Sequence, residues 1–479
     1  MSNPVVDPGY NALRDYYRVP DRFLDRITTT VDPLPDAVGF FQFGPANICY
    51  GRNRTGVALR PADANTFDAS HAVAGDGGSL RLPFSFSEVI DNLRLEHYRP
   101  DGVQGRELFA ATELIRKLYY LIREYLPVAV RRQLQKLYFR DWRTIPFPAW
   151  PVDFTVDNLH EDFLRLLLER SGIDRVPFIW FWPNGAPNCL MMTHDVETAD
   201  GRDFTSQLMD LDESYGIKAS YQVIPEKRYE VPDAYVRGIR SRGFEFNIHD
   251  LNHDGHLYKE RQEFERRAAR INGYVRKYDA RGFRAGAMYR KQDWYDVFKF
   301  SYDMSVPNVA HLEPKRGGCC TVMPFFIGNI LELPLTLAQD YSLFHILEDY
   351  SLGVWKQQLA LIRERHGLMS FITHPDYLID DRARAVYVSL LDHLKQMVAQ
   401  EQIWDATPGE VDRWWRSRRA MSLVPRGLEW EIVGPDSDRA CLAHAVLDGG
   451  RVVYEVATSP YALARRRDAR RAGQAGRTE

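Results

Sequence analysis

MMTHDVETAD, residues 191–200, runs from apolar residues straight into charge. The run begins at Cys189 and is continuously apolar, the pattern of a strand covered on both faces. It ends on His194, Asp195 and Glu197, with no lysine or arginine beside the acids. Alternation along an extended chain puts Thr193, Asp195 and Glu197 on one face and His194 and Val196 on the other. Two carboxylates leaving a buried strand on the same side call for a cation that the local sequence does not supply.

The surrounding rhythm gives the strand its setting. From about 185 to 405, strand-like runs alternate with amphipathic helices: CLMMTHDV, FTSQLMDLDESYG, KASYQVIP, DAYVRGIRSRG, FEFNIH, a long helix over 258–279, FRAGAM, YDMSV, WKQQLALIRERHG, LMSFITH and RARAVYVSLLDHLKQMVAQ. Alternation sustained this long predicts an α/β domain with a parallel sheet, doubly wound or closed as a barrel. Reactive groups in such folds gather at the C-terminal ends of the strands.

The strand ends are rich in such groups. FNIHDLNHDGH places His249 and His253 four apart, with His256 next; a helical turn after His249 would set both on one side. FRAGAM supplies Arg284 and FITHPDY supplies His374. Two histidines and a carboxylate make a site for a divalent metal with positions left for water and substrate. The second carboxylate can take a proton from activated water, and His374 can protonate a leaving group. Simpler readings exist for each residue alone. An H-x-x-x-H pair arises by chance, acids cap helices, Arg284 can neutralise Asp195, and a lone histidine is usually a satisfied core residue. Their coincidence at the strand ends of one domain favours a site.

The 479 residues exceed what one hydrophobic core usually holds, and 45% hydrophobic with 27% charged residues is ordinary for a globular protein. A net charge of -3 gives no pull toward nucleic acid. The N-terminus lacks a secretory pattern, and no apolar run approaches the ~20 residues of a membrane span. Five cysteines without a C-x-x-C fit a reducing compartment, so a cytoplasmic location is expected. Residues 1–150 read as an N-terminal region of turns, short strands and some helix, with no assigned role. Within it, 112–142 is amphipathic with a basic, aromatic second half. That half can lie against an anionic membrane face, although packing on the barrel with the basic face in water accounts for it more cheaply. RTIPFPAWPVD reads as an extended linker, 425–460 as a small β appendage and 464–479 as a basic tail.

At these motifs the chain resembles the polysaccharide deacetylase family, the NodB homology domain of carbohydrate esterase family 4, over roughly 185–405. THDVE stands for the first motif, usually T-F-D-D; HDLNH for the second, H-(S/T)-x-x-H; RAGAM for the third, R-x-P-x-(G/Y); FITH for the fifth. The fourth is weak, with ILELPLTLAQDY as its best match, and Glu332, Leu333 and Pro334 near the site by position. Val196 replaces the second aspartate, Asp250 the Ser or Thr, and Gly286 the proline. The resemblance implies a distorted parallel (β/α) barrel and metal-assisted removal of acetyl groups from a carbohydrate, an N-acetylhexosamine polymer or its lipid- or nucleotide-linked precursor. Glu197, His249 and His253 would hold the metal, Asp195 would be the base, Arg284 would hold the base and His374 would be the acid. The roles of Asp195 and Glu197 can be exchanged. Zinc is the default metal, with iron, cobalt, nickel or manganese as alternatives.

Two rival readings remain at this stage. An allantoinase-like hydrolase of a small cyclic amide would use the same fold and metal. A non-catalytic carbohydrate-binding scaffold in exopolysaccharide assembly would explain the altered first motif, but has no need of Asp195, His249, His253, Arg284 and His374 together. Neither the exact substrate nor the oligomeric state is legible.

Overall fold

The computed structural model describes residues 11–24, 27–29, 34–61, 67–76, 79–99, 137–170, 172–427 and 429–457. Its centre is a curled nine-stranded sheet: β1 (Cys189–Val196), β2 (Ala219–Val223), β3 (Glu245–His249), β4 (Gly282–Arg284), β5 (Tyr302–Asp303), β6 (Phe325–Ile327), β7 (Ile330–Glu332), β8 (Leu368–Thr373) and β9 (Trp404–Asp405). The order is β6-β7-β5-β4-β3-β2-β1-β8, with β9 beside the start of β1, and every pairing is parallel except β6 with β7. All eight residues of β1 are buried, as its unbroken apolar run requires. Helices α1 (Ala199–Tyr215), α2 (Asp233–Ser241), α3 (Arg261–Lys277), α4 (Gly353–Arg363), α5 (Asp381–Glu401) and α6 (Pro408–Ala420) follow the strands. Helix α1 starts where Thr198 Oγ1 accepts from Gly201 N (3.0 Å), so neither Asp195 nor Glu197 is spent as a cap.

The expected barrel is not a closed ring of strands. Pro334 has no N–H with which to continue the ladder of β7. Beyond it the chain first pairs with the residues after β5, Leu335 N donating to Val306 O (3.0 Å), and then reaches β8, Leu337 N donating to Ser370 O (3.3 Å); Val322, ahead of β6, accepts from Leu368 N (2.9 Å). Thr336 Oγ1 adds a bond to Leu368 O (2.7 Å). This seam is braced by the segment before the sheet. Asp153 and Asn308 exchange two bonds (2.8 and 2.7 Å), and Asp157 accepts from Thr321 Oγ1 (2.7 Å) and Val322 N (3.0 Å).

Residues 143–153, read as a free linker, are therefore packed, and Phe147 and Asp153 are buried. A helix absent from the sequence reading, Thr155–Arg170, follows them and buries Val156, Leu159, Phe163, Leu164 and Leu167. The C-terminal strands Leu442–Asp448 and Arg451–Val456 pair into one sheet with Arg175–Ile179. One apolar core runs from Leu13, Phe41 and Ile90 through Phe163 and Trp180 to Trp414, Ala443 and the sheet residues Met191 and Leu331. Of the segment 112–142, only 137–142 is described; there Phe139 is buried with Leu312 and Ile346. The tail at 464–479 lies outside the described residues. Among the described residues no helix is long and apolar enough to cross a membrane.

One ion pair ties the N-terminal region to the strand-end loops. Arg290 donates to Glu96 through Nε (2.6 Å) and a terminal nitrogen (2.5 Å), and Gly318 N donates to the same carboxylate (2.7 Å). Both side chains are essentially unexposed, at 0% and 1%. Burial would raise Glu96, but Arg290 outweighs it and holds the pKa at about 2. Removing one partner of such a pair leaves the other charged and buried. Glu96→Ala should lower unfolding stability by about 3–5 kcal/mol in a urea titration at pH 7, with the loss shrinking as the pH falls below the ordinary glutamate value of about 4.3.

Candidate active site

Thr193 and Asp195 leave β1 on its inner face, as alternation requires, and Arg284 at the end of β4 reaches both. One terminal nitrogen donates to Asp195 Oδ1 (2.6 Å) and Thr193 Oγ1 (2.9 Å), and Nε donates to Met304 O (3.0 Å). Arg284 is 0% exposed and Asp195 3%. Burial works to raise Asp195, but Arg284, His249 and His374 outweigh it and leave its carboxyl below the usual carboxylate range.

Glu197, two residues further, is the meeting point of three imidazoles. Its Oε1 lies 2.9 Å from His253 Nε2 and 3.6 Å from both His249 Nε2 and His374 Nε2. His249 Nε2 is also 3.8 Å from Asp195 Oδ2. The ligand atoms of Glu197, His249 and His253 all lie within 4.8 Å of one another. His249 Nε2 is buried without a hydrogen-bond partner, and the buried His253 Nε2 faces the Glu197 carboxylate. His249 Nδ1 donates to Arg284 O (3.1 Å), which leaves the lone pair on Nε2 facing Glu197. Two imidazole nitrogens and a carboxylate gathered at one point fit a divalent metal of the zinc type. Partial burial is outweighed at Glu197 by His253 and its neighbours, so its pKa lies well below the usual range, while Glu197 overcomes burial to raise His253.

The histidines do not meet through a helical turn. Asp250 and His253 both take left-handed backbone (φ 54°), and the loop between them is a chain of turns. Asp250 N donates to Arg284 O (2.7 Å), and Asp250 Oδ1 accepts from the next backbone amide, Leu251 N (2.7 Å). Arg267 forks Asp254 (2.7 and 2.9 Å), and Arg228 donates to His253 O (2.8 Å). His256 points away, with its side chain 51% exposed. Gly286 is a spatial necessity: a Cβ there would stand 2.7 Å from Asp250 Oδ2 and 2.7 Å from His253 Cδ2, which accounts for glycine in place of proline.

His374 follows β8 and faces Glu197. Asp340, which the sequence reading quoted within ILELPLTLAQDY without singling it out, holds it twice: His374 N donates to Oδ2 (2.7 Å), and Nδ1 pairs with Oδ1 (2.6 Å). Burial opposes charge on His374, but Asp340 and Glu197 raise its pKa well above the ordinary histidine value. The signal available in the sequence was an acid in an apolar stretch without a cation. Glu332, placed near the site by position, is instead turned to Val306 N (3.0 Å) and to Asp303, its register partner on β5. Gln339, beside Asp340, donates to buried Glu313 (2.6 Å), whose carboxyl burial pushes up to about 7.

No family model and no curated protein matches the chain. Solved structures similar to it include a candidate polysaccharide deacetylase from Mycobacterium smegmatis, at 16% identity over 52% of this chain and 96% of that one, with a TM-score of 0.41. Puue allantoinase matches at 12% identity over 49% and 92%, with a TM-score of 0.40. A peptidoglycan deacetylase from Bacillus subtilis matches at 11% identity over 50% and 96%, with a TM-score of 0.33. The functional reading rests on the residues of the site.

Two variants probe this arrangement. Gly286→Ala should push Asp250 and His253 aside and weaken metal binding about 10- to 100-fold in a chelator competition, with the far-UV spectrum retained. Glu313 has a folded pKa above its unfolded one, so its contribution is complete below about pH 4 and is lost as pH rises through 7. Glu313→Gln, which can still accept from Gln339, should therefore gain about 3 kcal/mol over wild type at pH 8 and little at pH 4.

Proposed function

We propose that this chain is a metal-dependent hydrolase that removes acetyl groups from a carbohydrate of the N-acetylhexosamine type. The observation that carries the reading is the convergence of Glu197 Oε1 with two buried imidazole nitrogens, beside a carboxylate held by arginine and a histidine held by aspartate. The substrate class follows from the resemblance of THDVE, HDLNH, RAGAM and FITH to the deacetylase motifs.

Glu197, His249 and His253 would hold the ion, with zinc as the first choice for two imidazoles and a carboxylate. When bound, such an ion supplies Lewis acidity that makes water acidic and polarises an acyl carbonyl. Asp195 stays ionised beside Arg284 and takes the proton of the attacking water. Oδ1 is engaged by the guanidinium, so Oδ2, on the His249 side, is the accepting atom. This division favours Asp195 as base and Glu197 as ligand. His374 keeps Nδ1 on Asp340 and presents a protonated Nε2 toward the cluster, from which it gives its proton to the departing nitrogen. The depressed carboxyl and the raised imidazole together put both groups in the required state at neutral pH.

Metal analysis and acetate release test this directly. Wild type should carry about one divalent ion per chain and release acetate from N-acetylglucosamine oligomers. His249→Ala and His253→Ala should lose both properties. Asp195→Asn should keep the ion and lose about 10²- to 10⁴-fold in kcat. A folded wild type that takes up no zinc, cobalt, nickel, manganese or iron would sink the reading.

A further inference from the structure

The face of the sheet turned away from the site carries a hydrogen-bonded system that the proposed chemistry does not use. Thr373, His194 and Tyr221 are register neighbours on β8, β1 and β2. Thr373 Oγ1 donates to His194 Nδ1 (2.7 Å), and His194 Nε2 donates to Asp212 Oδ2 of α1 (3.0 Å). Asp212 also accepts from Tyr387 of α5 (2.7 Å) and from Tyr221 (3.3 Å). All five residues are 0% exposed. Side chains of the same volume without polar atoms would fill this space without the need to satisfy every donor and acceptor. What a hydrogen-bonded chain adds over apolar packing is fixed geometry.

Its place in the register gives that geometry a use. The next residue after His194 on β1 is Asp195, and the residue that follows Thr373, the last of β8, is His374. Both are turned to the opposite face, where one is held by Arg284 and the other by Asp340. We propose that His194 is a positioning residue, which locks the ends of β1 and β8 together through Thr373 and so sets the separation of Asp195 and His374. Asp212 anchors it by accepting the Nε2 proton, which leaves Nδ1 free to accept from Thr373. The inference rests on the deacetylase reading above for the roles of Asp195 and His374.

The test uses the full-length, metal-loaded protein and acetate release from N-acetylglucosamine oligomers, with kcat and KM measured separately. His194→Phe keeps the ring and removes both hydrogen bonds; Thr373→Val removes one and Thr373→Ser restores it. His194→Phe and Thr373→Val should each lower kcat about tenfold or more through misplacement of the reacting groups, with KM and metal content unchanged. Thr373→Ser should return kcat to near the wild-type value, and the double variant His194→Phe/Thr373→Val should be no slower than the worse single one. If His194→Phe does not fold, the Thr373→Val and Thr373→Ser pair decides the matter alone. A lower Tm with kcat unchanged would reduce the system to core structure and overturn the inference, while the deacetylase reading stood. A metal-loaded wild type that releases no acetate would overturn both.

Discussion

Arg284 is the residue on which both halves of the site depend. Its side chain holds Asp195 and Thr193 of β1, and its backbone carbonyl accepts from His249 Nδ1 and from Asp250 N. The proposed base and the proposed metal loop thus share one support. A guanidinium with no exposure is costly to bury unless it is paired. The Asp195 carboxylate supplies the pairing, and with the Met304 carbonyl it fixes the direction in which Asp195 Oδ2 can act. Neutralising the arginine and orienting the base are one interaction seen from two sides.

Much of this was legible in the sequence because it depends on periodicity. A strand buried on both faces has to read as a continuous apolar run, and CLMMTHDV does. Thr193, Asp195 and Glu197 share a face because alternation leaves no other choice, and Arg284 and His374 stand at strand ends because apolar runs stop there. What stayed illegible depends on chain reversal or on long-range pairing. His249 and His253 come together through two left-handed residues, Asp250 and His253, which a helical expectation cannot produce. Asp340 lies 34 residues from the histidine that it holds, so nothing local marks it. The helix Thr155–Arg170 was passed over because the proline-rich stretch before it suggested an open linker. Periodicity reports that strands exist and not which edges meet, and so the open ring escaped notice.

The same polar economy recurs on both sides of β1. Toward the site, Asp195 is matched to Arg284 and Glu197 faces three imidazoles; away from it, Asp212 takes three protein donors. One strand therefore leads into a cluster of charged groups on one face and carries a closed set of hydrogen bonds on the other. That contrast separates a place built to receive something from a place built to stay as it is.

The seam between β7 and β8 bears on how such a fold can be inherited. A piece of chain cut at 185 and 405 would hold every strand of the central sheet and all six residues around the proposed metal. Yet it would leave Asn308, Thr321 and Val322 facing water where Asp153 and Asp157 now complete their hydrogen bonds. The apparent catalytic module is in this sense not modular. Recombination that moved it without the residues ahead of it would move an unfinished wall, so the segment around Asp153 and Asp157 and the sheet are bound to change together.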